Sequence, residues 1–451
     1  MDKHTLDQAK FLGNSVFLED YFYNKIKKIT LFLILVVAMS VYIFDEAVRL
    51  IFVPENISYL NPLYCASAAI VSVIFIFNRR FNYLNLYLAV LFFGMTMINS
   101  YFLGKNTTYM LLVFQAFCMP LFFTCIKLGH GDIKYVLDKF LNIFNVCIIL
   151  VIILGVIDYI TNSSIQLFLA DRLFNGELSD LIYREHGMGI YRYYSILGHP
   201  LTTVKFFLVY LVLNLIYNRY FESKINVYIL SFTASVGFVL SGSKSALILG
   251  GILVFTSGFF IRKNKALYFT LIAIVSILLT STPLFQENIL QRFYQGIESG
   301  DLSTGRNELI YRLLEDSSEK PNLVLGKGSG YSRVVAKSLG GGALNFEYPI
   351  IMLPYDFSIL GTLIIYIIIF IIPVTKFIRN KSYFLLYIFI ILFLYENGNN
   401  GISSVSDSLG RFIFVIFTLT NLSEYLKTER QLAENGRKPI DNQLRRNVLK
   451  Y

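Results

Sequence analysis

Apolar residues in this chain gather into long runs divided by short polar breaks, near 29–44, 59–77, 82–103, 107–128, 140–160, 200–217, 225–241, 244–262, 266–284, 350–377, 382–395 and 409–426. A membrane-crossing helix needs about 20 mostly apolar residues, so the pattern predicts about twelve crossings. The run 382–395 is short for a crossing, while 350–377 is long and contains Pro354 and Asp356; the count is therefore expected to hold within one or two. The predicted fold class is all-α, a polytopic integral membrane protein. It divides into a cytoplasmic tail over 1–28, a membrane domain over 29–426 and a second cytoplasmic tail over 427–451. No small-residue cleavage site follows the first run, which is expected to be a retained first span.

Composition agrees with that pattern. Of the 451 residues 55% are hydrophobic and 16% charged, against roughly 25% charged in a soluble protein, which excludes an ordinary cytosolic enzyme. The net charge of +10 does not form a nucleic-acid stripe, because the cations are spread over short loops and tails. Membrane topology accounts for them better. With the N-terminus inside, inner loops hold Arg79 and Arg80, Lys127 to Lys139, Arg219 and Lys224, Arg262 to Lys265, and Lys376 to Lys381. The short outer connections hold only Arg49, Lys105 and Lys244. Twelve spans with both termini cytoplasmic satisfy the alternation. Cys65, Cys118, Cys125 and Cys147 lie within apolar runs and suggest neither a disulfide framework nor a metal site. Walker, HExxH and GxSxG motifs are absent, so ATP-driven and zinc chemistry have no support and no cofactor is expected.

Two outer loops, about 161–199 and 285–345, far exceed the connections of about 2–8 residues usual in helical bundles. In the second, NELIYRLLEDSSEK places Leu309, Ile310, Leu313 and Leu314 on one face, predicting an amphipathic helix lying on the outer membrane surface. Both loops favour arginine over lysine. Arg192 and Arg292 stand next to spans and Arg306 opens the amphipathic segment; guanidinium binds phosphate as a fork, which ammonium does not. Lys244, in LSGSKSALILGG between two apolar runs, sits where a cation is costly and needs a partner or a task. Lys205 ranks below it, as does Arg411, for which pairing with Asp407 one turn earlier is expected. Glu347 and Asp356 are the candidate acid–base residues. His199, ahead of Pro200, reads first as a helix cap and second as a substrate contact. Tyr191, Tyr193, Tyr194, Tyr294 and Tyr355 are candidate platforms for sugar rings.

The order of these motifs over about 190–365 resembles the O-antigen polymerase and ligase family, the Wzy-like enzymes of surface polysaccharide assembly. The segments are YRYYSILGHPLTTVKFFL, LSGSKSALILGGILV, QRFYQGIESGDLSTGRNELIYRLLE followed by PNLVLGKGSGYS, and FEYPIIMLPYDFSILGTLIIY. The resemblance implies a GT-C-like, metal-independent glycosyltransferase of the bacterial inner membrane, active at its outer face on an undecaprenyl-diphosphate-linked oligosaccharide. Carried over residue by residue, Arg192, Lys244, Arg292 and Arg306 would bind the diphosphate, with Lys244 standing at the family's usual arginine. His199, Tyr194 and Tyr355 would complete the sugar and diphosphate contacts. Ligases of the family carry a catalytic histidine where this chain has Glu347, which favours a polymerase with Glu347 or Asp356 activating the acceptor hydroxyl. Membrane lipid, a chain-length regulator and a flippase are the expected partners, and nucleic acid is not. A ligase, or a flippase or other transporter, is the competing reading.

Overall fold

The computed structural model describes residues 25–52, 60–77, 81–174, 177–261, 264–298, 300, 306–315, 320–340, 346–402 and 407–435. Among them the architecture is all-helical, with no strand beyond a single bridge between Phe81 and Ile126. Every predicted apolar run is a helix: α1 (25–42), α3 (Pro62–Phe77), α4 (Tyr83–Phe102), α5 (Thr107–Phe123), α6 (His130–Ile160), α9 (Pro200–Tyr220), α10 (Val227–Ser241), α11 (Lys244–Ser257), α12 (Lys265–Thr280), α16 (Pro349–Arg379), α17 (Tyr383–Gly398) and α18 (Ser408–Glu434). Shorter pieces fill the connections: α2 (Glu46–Phe52), α7 (Ser164–Arg172), α8 (Glu177–Gly187), α13 (Leu284–Glu298), α14 (Arg306–Glu315) and α15 (Tyr331–Ser338). Four helices, α4, α6, α9 and α16, are long and apolar enough to cross a membrane by themselves; α12 with α13, bent by 69°, makes a fifth. Several others, α3, α5, α10, α11 and α17, are apolar but shorter.

Helix α9 is the axis of the bundle, with 89% of its span-length window buried, and its all-round apolar sequence is what such a position needs. Its polar residues are satisfied inside: Asn214 exchanges side-chain hydrogen bonds with Asn145 of α6 at 2.7 and 3.0 Å. Around Tyr42 of α1 the rings of Phe140, Phe144, Phe206 and Phe414 pack edge-on at 5.4–5.9 Å, joining α6, α9 and α18 to the first helix. The outward faces carry exposed Ile70, Val73, Val146, Ile153 and Ile277, as expected of helices surrounded by lipid.

The long run near 350 is not one straight rod. Pro354 removes a helical N–H, and four residues later Ser358 takes φ 76°, ψ 167°. The opened turn is paired by the loop before α15: Lys327 and Gly328 N–H donate to the carbonyls of Tyr355 and Asp356, and Ile359 and Leu360 N–H donate to those of Asn322 and Leu323, all at 3.0 Å. Backbone freed within the bundle must be satisfied by protein. Gly326 permits this docking, since a Cβ there would lie 2.2 Å from the Asp356 carbonyl oxygen.

Above this break Leu309 of α14, Val335 and Ala336 of α15, Phe346, Met352 and Tyr355 form a small core. Leu309 of α14 is thus covered by protein, while Leu314 of the same predicted apolar face is 72% exposed, so the helix gives only part of that face to the core. A second small core unites α7, α8 and Tyr194 through Leu169, Phe174 and Ile182. Asp158 at the end of α6 starts α7 by accepting from the Ile165 and Gln166 N–H at 2.8 and 3.0 Å.

Candidate functional site

The short turn between α10 and α11 gathers three of the predicted cations. Gly242 holds φ 60°, the left-handed region that glycine enters without strain. A Cβ at this position would lie 3.3 Å from Arg192 Cγ and 3.9 Å from an Arg292 Nη. Arg292 Nη1 donates to the Gly242 carbonyl at 3.0 Å, and the Lys244 ammonium stands 5.3 Å from the centroid of the Phe293 ring. Three segments that lie some fifty residues apart in sequence thus converge on one turn. Arg192 also pairs with Glu185 of α8 at 2.9 Å, while its buried Nε makes no hydrogen bond. A buried cationic donor with an open bond is a group seeking an acceptor.

Next to this turn is a cavity of about 270 Å³ lined by His199, Thr202, Lys205, Glu347, Tyr395, Asn399, Asn400, Ser408 and Arg411. The two regions touch through Ser245, one residue past Lys244, whose hydroxyl donates to Asn399 Oδ1 at 2.9 Å. On the other side, Tyr194 donates to Glu185 Oε2 at 2.6 Å and its ring meets that of His199 edge-on at 6.3 Å. Burial and the adjacent Glu185 carboxylate raise the Tyr194 pKa well above its usual value, so its hydroxyl stays protonated and acts as a donor.

Glu347 enters the cavity from the connection preceding α16 with φ 58°, a conformation that costs a non-glycine residue about 1–3 kcal/mol. Its carbonyl accepts from Asn400 N–H at 2.9 Å, and Asn400 is itself left-handed at φ 56°. The two left-handed residues thus meet at the cavity wall, and the strain falls mainly on Glu347, since asparagine enters that region more readily. His199 both caps and lines: its Nδ1 accepts from Leu201 N–H at 3.2 Å, starting α9, while the ring borders the cavity. With Nδ1 accepting, the proton of the neutral ring sits on Nε2.

Below the cavity lies a set of buried charges that the sequence reading underestimated. Lys205 pairs with Glu396 at 2.6 Å, Arg49 with Asp407 at 2.8 Å and Arg411 with Asp45 at 3.3 Å. Asp407 thus serves α2 and not Arg411, correcting the expected one-turn pair; Asp407 precedes α18 and reaches across to the first helices instead. Asn61 adds a hydrogen bond to Asp407 at 3.5 Å and Tyr42 donates to the Arg411 carbonyl at 2.8 Å.

Several predicted residues fall elsewhere. Asp356 is 1% exposed and its Oδ1 accepts from the Ser332 N–H at 2.8 Å, so it secures the start of α15 and does not line the cavity. Tyr355 stacks on Phe346 at 6.3 Å inside the small core above the break in α16, which removes it as a sugar platform. Tyr191 and Tyr193 are buried, the former donating to Asp158 Oδ2 at 2.9 Å, and Tyr294 is exposed. Arg306 begins α14, and its side chain lies outside the described residues. The tails over 1–24 and 436–451 also lie outside them. Among the described residues no cluster of histidine, cysteine and carboxylate has the makings of a metal site, and all four cysteines are free thiols.

The chain matches no protein-family model, no curated protein and no solved structure.

Proposed function

We propose that this protein is a membrane glycosyltransferase that polymerises undecaprenyl-diphosphate-linked oligosaccharide repeat units, moving the growing glycan onto the non-reducing end of a new lipid-linked unit. The observation that carries the reading is the convergence of Arg192, Arg292 and Lys244 on the Gly242 turn, beside a polar cavity that holds Glu347 and His199. Cations fixed where a diphosphate departs stabilise the leaving group as its charge develops. In the proposed step an acceptor hydroxyl oxygen attacks C1 of the donor sugar as the C1–O bond to diphosphate breaks. The hydroxyl proton passes to the Glu347 carboxylate and the electron pair leaves with the lipid diphosphate. Arg192 contributes by exchanging its pair with Glu185 for the more highly charged phosphate.

The topology that suits this chemistry has twelve spans, both termini cytoplasmic and the site at the outer face, in a GT-C-like arrangement. A ligase working through histidine is less well supported, since Glu347 stands where such ligases carry their histidine. A transporter draws support from the six buried charges, but these lie at the α1–α2 junction and near the ends of α9, α17 and α18 that border the cavity, whereas a transporter site is expected near the midplane on broken helices.

The test is conversion of purified lipid-linked repeat units to longer glycans by the detergent-purified protein, without metal or nucleotide. Glu347→Gln is expected to slow polymerisation by about 10²–10⁴-fold and Lys244→Ala by about 10²-fold or more, with Arg306→Ala run alongside. Full activity in Glu347→Gln, or no ladder from folded protein given the correct repeat unit, would sink the proposal.

A further inference from the structure

We infer that the end of the bundle opposite the Glu347 cavity carries a binding site for the headgroup of an anionic phospholipid. Three helices connect the two ends. α9 begins beside His199 at the cavity and ends at Arg219 and Tyr220; α17 runs back from Tyr383 and Phe384 to Tyr395; α18 runs from Ser408 to Leu426, Arg430 and Glu434. At 1.5 Å per residue, the 21 residues of α9 span about 30 Å, the hydrocarbon thickness of a bilayer. This end also holds the basic loops, and so faces the cytoplasmic leaflet under the positive-inside rule, the leaflet where basic pockets between helices meet anionic headgroups.

Two cavities of about 540 and 570 Å³ adjoin here, sharing Arg219, Phe260 and Phe384 as a common wall. The guanidinium carbon of Arg219 lies 4.2 Å from the Phe384 ring centroid and 4.7 Å from that of Phe260, and the two rings meet edge-on at 4.6 Å. This packing fixes the plane of the guanidinium group, the preorganised fork that recognises phosphate. Lys224 lines the first lobe, and Lys381 with Arg430 line the second. Opposing them are Asp138, which pairs with Lys224 at 2.8 Å, and Glu434 in the second lobe. Four cations against two carboxylates leave the wall positive. Phe260, Tyr383, Phe384 and Tyr387 supply ring surface beside the charges, as acyl chains and a glycerol backbone require. The ligand class is therefore a phosphodiester with apolar chains attached, not a zwitterionic headgroup. The inference uses the membrane orientation only and stands apart from the polymerase reading.

Native mass spectrometry of the full chain in detergent provides the test, with phosphatidylglycerol, phosphatidylethanolamine or free glycerol 3-phosphate added at equal concentration. Phosphatidylglycerol is expected to be retained in preference to phosphatidylethanolamine, and Arg219→Ala and Arg430→Gln should each reduce its retention about fivefold. Arg312→Gln, at the outer end, should leave retention unchanged. Arg430 is partly exposed at the end of α18, so its replacement reads charge without threatening the fold. Equal retention by wild type and Arg430→Gln, or equal retention of phosphatidylethanolamine, would overturn the inference. Displacement of phosphatidylglycerol by equimolar glycerol 3-phosphate would make this a small-anion site and overturn the lipid assignment.

Discussion

At the scale of single residues, Gly242 and Glu396 make the sharpest demands. Alanine at 242 would hold a left-handed φ at a cost of about 1 kcal/mol, and its Cβ would press on Arg192 Cγ. Gly242→Ala is therefore expected to lower thermal stability only slightly while greatly reducing polymer yield; equal losses in both assays would mean that the turn matters only for folding. Glu396 answers Lys205 in a buried place. Glu396→Leu leaves that ammonium uncompensated and should cost about 3–5 kcal/mol. Adding Lys205→Met is expected to restore most of the loss, measured as thermal unfolding of the two single variants and the double. Sequence reading found Lys205 but not its partner, because Glu396 stands one position beyond the apolar run 382–395 and looks like the start of a loop.

At the scale of elements, the cap formed by α14 and α15 stands on two contacts that differ in kind. Leu309 is 1% exposed in the small core under α14, and Leu309→Ala should cost about 2–5 kcal/mol. Faster tryptic cleavage at Arg312, Lys327 and Arg333, with the membrane helices still intact, is the expected result. Gly326→Ala should release the same region by another route, because the segment 322–328 could no longer approach the break at Ser358. The glycines of PNLVLGKGSGYS are visible in the sequence, but the reason for Gly326 is not: it depends on a carbonyl row exposed in a helix some thirty residues later. Helix α14 shows the same limit. Its hydrophobic periodicity predicted a helix with one apolar face, but periodicity does not say whether lipid or protein covers that face.

At the scale of the whole molecule, the apolar runs all became helices because hydrophobicity is a local property that a window of sequence captures. Their pairing is not local. Asp407 lies 358 residues from its partner Arg49, and Arg411 lies 366 from Asp45. Much of the candidate site was legible as residue types, since Arg192, Lys244, Arg292, His199 and Glu347 were all singled out; what the sequence withheld was the role of Asp356 and the floor of buried charge. The orientation can be checked with an impermeant thiol reagent: Arg312→Cys should label from outside intact cells and Lys381→Cys only after permeabilisation. The long-range ion pairs also carry a consequence for biosynthesis. When α1 and α2 leave the ribosome, Asp45 and Arg49 have only each other as counter-ions, and their native partners Arg411 and Asp407 arrive only when translation reaches the start of α18. Charges short of their native partners resist release into lipid, so slower release of the early helices from the insertion machinery is expected. A chain cut short before Asp407 would lack both native partners, and faster turnover of that truncation than of the full chain is the expected result.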